Sequence, residues 1–314
     1  MTDPLHRSPT ASADTGGTAR DPGEEVRLSR LDAHAYRDWT ASGQATVIIP
    51  TGAFEQHGPH LPLGTDAMLS TAIAEAVARR TGARVAEPFS YGYKSQQKSG
   101  GGNHLPGTIS LDAATLIALT RDLVHGFLGQ GIRNIVVLNG HYENYQFLYE
   151  GVDLALRDLG LGPGAEQSVV LLSYWDFVSD RTLATVYPEG FPGWDIEHGG
   201  VLETSLMLHL HPELVDLGRA VSHPAATLPR FDRLPVVPER TPHTGCLSAP
   251  DGSDAGKGRL LYEQVAADLA ADVTAELGLS HLADDAVREA ARGAAPAGST
   301  TPGDTGAKEF VSTP

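Results

Sequence analysis

Two short stretches gather the residues able to do chemistry. Between Glu55 and Asp66 the chain reads EQHGPHLPLGTD, and between Asn139 and Asn144 it reads NGHYEN. Each places a carboxylate and an imidazole two residues apart, Glu55 with His57 and His141 with Glu143. Groups at that spacing point the same way where the backbone is extended. Asp66 comes later and is expected to begin a helix over 66–81 as its N-cap. The five groups supply three carboxylates and two imidazoles. Two divalent cations bring four positive charges, the carboxylates three negative ones, and one hydroxide completes the balance. That arithmetic suits two metals sharing a carboxylate, with water activated near neutral pH. Mixed nitrogen and oxygen donors suit Zn²⁺ or Mn²⁺ better than thiolate-preferring metals. A lone loop histidine is more often a hydrogen-bonded surface group. The repeated pairing, each time after an apolar run, is what argues for metal. His60, between Pro59 and Leu61, is expected to be structural.

Two further segments bear on the site. PEGFPGWDIEHGGVLETS, residues 188–205, is rich in Gly and Pro and reads as an irregular loop displaying Trp194, Asp195, Glu197 and His198. Such a loop can act as a lid, or it can simply pack its Trp. Glu203 opens the apolar helix ETSLMLHLH, where a first-turn carboxylate complements the helix dipole. YGYKSQQKSGGGNHLPGT, residues 91–108, has three consecutive glycines but not the spacing of a phosphate-binding loop, which argues against nucleotide.

These groups need a frame to bring them together. TVIIP (46–50), RVAEP (84–88), NIVVLNG (134–140) and SVVLLSYW (168–175) are short β-branched runs of the buried kind. Between them lie helical patterns: one over 66–82 with Gly82 as its C-cap, one over 113–131 with Leu116, Leu119, Leu123 and Phe127 in register, and one over 260–278 through Leu261, Val265, Leu269, Val273 and Leu277. Alternating strands and helices predict a mostly parallel sheet covered on both faces. In such folds ligands sit beyond the carboxyl ends of the strands. Both ligand clusters follow strand ends, so both are expected on that side.

The bulk composition narrows the partners. A net charge of −16 argues against nucleic acid and anionic lipid, which need a cationic face. No apolar run approaches the roughly 20 residues of a membrane span. The N-terminus lacks a basic-then-apolar signal pattern, and the single Cys246 fits a reducing compartment, so a cytoplasmic location is expected. Cys246 itself is expected to be a buried bystander. Residues 1–25 and 283–314 read as flexible tails around one catalytic domain over 26–282.

Taken together, these motifs resemble the creatininase family over nearly all of residues 45–278. EQHGPHLPLGTD is the form shared across that family. YGYKSQQKSGGGNHLPGT, NGHYEN, LSYWDF and PEGFPGWDIEHGGVLETSLML resemble its creatinine-hydrolysing branch. NGHYEN discriminates best, because many relatives read NGHGGN there and lack a carboxylate at the place of Glu143. The resemblance implies a Rossmann-like three-layer α/β/α fold, a homohexamer and two divalent ions per chain, Zn and/or Mn. It implies that Glu55, His57, Asp66, His141 and Glu143 hold the ions, with Asp66 shared. It further implies that His198 handles the proton at the scissile nitrogen and that Glu143 also takes part in catalysis. Ser99 to Gly102 and Tyr142 would line the substrate site, with Trp175 as its wall and Trp194 on the lid. Glu203 is expected beside the ligands and not on a metal. The implied reaction is the reversible opening of creatinine to creatine by a metal-activated hydroxide. A flat, cationic guanidinium-like substrate gains about 0.5–2 kcal/mol on an aromatic face. Two other readings stand beside it: another amidohydrolase of the family, such as a deformylase or precursor-peptide peptidase, and a non-catalytic binder of a small cationic metabolite.

Overall fold

The computed structural model describes residues 25–279. Of the expected tails only Glu25 falls in that range, and residues 280–282 of the expected domain also lie outside it. Among the described residues, β1 (Thr46–Thr51), β2 (Arg84–Val85), β3 (Asn134–Asn139) and β4 (Ser168–Ser173) form one parallel sheet in the order β2-β1-β3-β4. The helices are α1 (Ala33–Thr40), α2 (Thr65–Thr81), α3 (Ala113–Gly129), α4 (Tyr145–Asp158), α5 (Asp180–Val186), α6 (Val201–Leu210) and α7 (Ala255–Leu277).

β1, β3 and β4 are apolar in their middles, where both faces are covered, and carry Thr, Asn or Ser at their ends. Side chains alternate across a strand, so Val47, Ile49, Ile135 and Val137 point to one face. There they meet Leu116, Val124 and Leu128 of α3 and Leu148, Val152 and Ala155 of α4. Ile48, Val136, Leu138 and Leu172 point the other way, onto Leu69, Ile73 and Val77 of α2, Leu202 and Leu206 of α6, and the Leu261-Val265-Leu269-Val273 stripe of α7. Each such side chain contributes about 1.5–3 kcal/mol by leaving water. The three-layer α/β/α arrangement follows directly. At the α6–α7 contact a Cβ on Gly258 would lie 1.9 Å from the Ser205 carbonyl oxygen. Only glycine permits that approach, which fixes the helix carrying Glu203.

Four expectations change. The strand predicted over 84–88 pairs only at 84–85. Ile48, Pro50 and Gly52 bond towards that edge, and Pro50 has no N–H to donate. The strand predicted to run to Trp175 ends at Ser173, and Tyr174–Phe177 form one 3₁₀ turn. The buried stripe of α3 is Leu116, Thr120, Val124 and Leu128, while Leu119 and Leu123 are exposed. Thr120 can lie inside because its hydroxyl bonds to the Leu116 carbonyl at 2.8 Å, so a polar residue occupies the core face. Finally, Asp66 is the second residue of α2 and not its N-cap, which is Gly64. Its carboxylate is turned away from the helix end and into the site.

Candidate active site

Connections leaving β1 diverge to β2 on one side while β3 lies on the other, so the carboxyl ends of β1 and β3 flank a topological switch point. Glu55 and His57 follow β1, and His141 and Glu143 follow β3. Asp66 enters from the first turn of α2 and Glu203 from the first turn of α6. Thus six ionisable side chains converge on one point, and all are buried.

Asp66 is the centre of the cluster. Its Oδ1 lies 2.8 Å from His57 Nε2, and its Oδ2 lies 3.0 Å from His141 Nδ1. Glu55 Oε1 is also 3.0 Å from His141 Nδ1. On the other side, Glu203 Oε1 is 3.6 Å from His57 Nε2. Each ring is oriented from behind. The carbonyl of Glu55 sits 3.2 Å from His57 Nδ1, and that of Tyr93 sits 3.1 Å from His141 Nε2. A backbone acceptor behind an imidazole directs the opposite nitrogen into a metal site.

Ionic pairing dominates the titration of this cluster. Burial alone would lower the His57 pKa, but Asp66 and Glu203 outweigh it and hold it well above the ordinary value. Burial likewise opposes the charged form of His141, and Glu55 and Glu143 outweigh it. Asp66 is penalised by burial, yet His57 and His141 hold its carboxyl far below the usual range.

The donor set fits divalent cations. His57 Nε2, Glu55 Oε2 and Asp66 Oδ2 are buried polar atoms that form no aligned hydrogen bond, an expensive arrangement in a folded core. Two sets of three donor atoms, each within 4.8 Å of one another, share Asp66: Glu55 with Asp66 and His141, and His57 with Asp66 and Glu203. A third set, Glu55 with His57 and His198, overlaps both. Glu203, expected beside the ligands, lies in one of these sets, whereas Glu143, expected among the ligands, joins none of them among the described residues. Its Oε2 is 3.3 Å from the back nitrogen of His141, while its Oε1 accepts from Ser99 Oγ at 2.6 Å and from the Gln96 N–H at 2.8 Å. Burial pushes its carboxyl upward.

A pocket of about 480 Å³ opens above the cluster. It is lined by the predicted Ser99, Tyr142, Trp175, Trp194 and His198 alongside the acidic and imidazole groups. Tyr142 and Trp175 lie nearly parallel at 6.2 Å between ring centroids. Trp194 packs edge-on against Phe191 at 4.6 Å. His198 is buried, its Nε2 2.8 Å from the Gln56 carbonyl and its Nδ1 3.9 Å from Glu55 Oε1. Its own carbonyl accepts from the Leu247 N–H at 3.1 Å, so the end of the predicted lid loop is anchored. His60 is a packed core histidine bonded to Thr204 Oγ1 at 2.9 Å, and Cys246 is buried. Among the pocket residues that sequence reasoning left without a role are Tyr174 and Glu197. Tyr174 carried no local signal beyond its place at a strand end.

A family model described as creatinine amidohydrolase matches residues 29–273. The chain is 51% identical over 241 residues to the creatinine amidohydrolase of Pseudomonas putida, covering 76% of this chain and 93% of that protein. It is similar to a solved structure described as creatininase with Mn, with a TM-score of 0.79, 49% identity, and coverage of 81% of this chain and 99% of that one. It is also similar to a creatininase mutant complexed with creatine, with a TM-score of 0.78, 48% identity, and coverage of 81% and 99%. On the match of nearly all the described residues and of the site that they build, the chain belongs to the creatininase family.

Proposed function

We propose that this protein is a creatinine amidohydrolase that opens the ring amide of creatinine to give creatine, reversibly, with two divalent ions per chain. The observation that carries the reading is Asp66, whose two oxygens face His57 and His141 at the floor of a pocket walled by Tyr142 and Trp175. Glu55, Asp66 and His141 would hold one ion, and His57, Asp66 and Glu203 the other. When bound, the ions supply Lewis acidity and lower the pKa of water.

The remaining chemistry belongs to the chain. Tyr142 and Trp175 present flat faces to a flat ring, and Trp194 covers it from the 188–198 loop, excluding bulk water. His198 has its Nε2 committed to the Gln56 carbonyl, leaving Nδ1 to take and return the proton at the scissile nitrogen. Glu143, pushed upward by burial, is the second group able to exchange a proton beside the substrate. Ser99 orients that carboxylate through its hydroxyl. Relatives that cleave other amides remain the competing reading. NGHYEN and the two pocket tryptophans, Trp175 and Trp194, favour the creatinine assignment.

After removal of metal with a chelator, the protein is expected to lose creatinine hydrolysis. Reconstitution with Mn²⁺ or Zn²⁺ should restore it, with two ions per chain by elemental analysis. Failure to turn over creatinine in the two-ion form would sink the substrate assignment, and absence of metal uptake would sink the site. The ligand types fit Zn²⁺ or Mn²⁺.

A homohexamer and a cytoplasmic location complete the reading. The segment near 231–234 leaves Leu234 85% and Phe231 60% exposed, apolar surface of a kind that subunit contacts cover. No described helix is long and apolar enough to cross a membrane. Light scattering is expected to give a mass near 199 kDa, about six times the 33.1 kDa of one chain. A monomeric mass would overturn the assembly.

A further inference from the structure

Glu197 is a half-buried carboxylate beside His198 that the reaction above does not use. We propose that it is a positioning residue, which fixes Glu203 toward the second metal and ties the root of the 188–198 loop to α6. The inference rests on the metal-site reading given above. Glu197 Oε1 accepts from the Leu202 N–H at 2.7 Å and from the Glu203 N–H at 3.4 Å. Its Oε2 accepts from Ser248 Oγ at 3.1 Å. Tyr187, at the end of α5, accepts from the same Leu202 N–H through its hydroxyl at 3.0 Å.

These contacts do the work of a helix cap. The first N–H groups of a helix lack partners within it, and a side chain at the N-cap usually supplies one. The N-cap of α6 is Gly200, which has no side chain to offer. Glu197 reaches the same N–H groups from three residues earlier. The side chain of Glu203 is held from the other end, its Oε2 accepting from the Gly199 N–H at 2.7 Å. Backbone and carboxylate of Glu203 are thus both fixed by the segment 197–199, leaving Oε1 directed toward His57.

Gly200 shows that the space is reserved for this carboxylate. A Cβ there would lie 2.2 Å from Glu197 Oε2 and 2.3 Å from Ser248 Oγ. Trp194 and His198 lie on the loop that Glu197 anchors, so the position of the lid and the reach of Glu203 depend on one side chain. Partners behind a metal ligand commonly change metal affinity or activity by about 10–100-fold when removed.

The test uses metal titration calorimetry and thermal melting on Glu197→Ala, Glu197→Gln and Ser248→Ala, each chelated and reloaded with Mn²⁺ or Zn²⁺. Glu197→Ala is expected to bind one ion as the wild type does and the other about 10–100-fold more weakly. Glu197→Gln keeps an acceptor oxygen for Leu202 and is expected to recover most of that loss. Wild-type affinity for both ions in Glu197→Ala overturns the proposal. So does an equal loss of both ions together with a lower melting temperature, which marks a general structural role. If Glu197→Ala does not fold, Ser248→Ala decides: it removes only the Oε2 contact and is expected to weaken one ion selectively, and an unchanged pair of affinities overturns the proposal. A wild-type protein that takes up no metal removes the site reading and this inference with it. Two wild-type affinities with no response to Glu197 remove the inference alone.

Discussion

Replacing Asp66 by alanine is expected to abolish uptake of both ions and creatinine hydrolysis together. Asp66 is the member common to both donor sets, with one oxygen toward His57 and the other toward His141. Its loss removes the one negative charge that both ions would share and leaves two imidazoles facing a gap. Removing one partner from a buried charged set costs about 3–5 kcal/mol. In binding terms that is about 10²–10⁴-fold for each ion. The helix itself should survive, because Asp66 is not the cap of α2 and Leu69, Ile73 and Val77 keep their places in the core. Elemental analysis, circular dichroism and rates on one preparation check the result. Retention of two ions per chain by a folded Asp66→Ala would show that the carboxylate is not shared.

Much of the frame was legible because it rests on periodicity. β1 and β3 are apolar runs buried on both faces, β4 is a half-buried run of the same kind, and α2 and α7 carry their apolar residues at helical spacing. The errors have local causes. Pro50 stands inside a central strand, and its missing donor shortens β2 in a way that RVAEP alone does not show. In α3 the pattern of leucines pointed to Leu119 and Leu123, yet Thr120 is buried because it satisfies its own hydroxyl within the helix. The turn NGHYEN hid α4, since its residues serve the pocket before the helix begins at Tyr145. The site divides along the same line. Glu55, His57, Asp66 and His141 could be named because each lies in a dense motif after or beside a strand. Glu203 lies far along the chain from the second motif, and the packing of α6 on α7 and α2 brings it to His57. Glu143, which the H-x-E spacing offered as a ligand, lies in a 3₁₀ turn after β3, with its carboxylate beside the back nitrogen of the His141 ring.

Changing His198 to asparagine is expected to lower turnover by about 10²–10⁴-fold while both ions stay bound. The expectation follows from how the donors are shared out. Two sets with Asp66 in common use Glu55 and His141 on one side and His57 and Glu203 on the other, which would give each ion three protein contacts. A catalytic site keeps further positions open for water and substrate, so a fourth protein ligand is not required. His198 also lies in a set with Glu55 and His57, but its Nδ1 is 3.9 Å from Glu55, farther than His141 is from the same carboxylate. Its ring lies 4.3 Å from that of His57, and its Nε2 is turned to the Gln56 carbonyl. That hydrogen bond fixes the ring while leaving Nδ1 free to exchange a proton with the pocket. Asparagine preserves polarity and much of the size of the side chain but cannot carry the proton. Metal content and steady-state rates measured together separate the outcomes. Full activity with two ions removes His198 from the mechanism, whereas loss of one ion makes it a ligand and returns Glu203 to a supporting place.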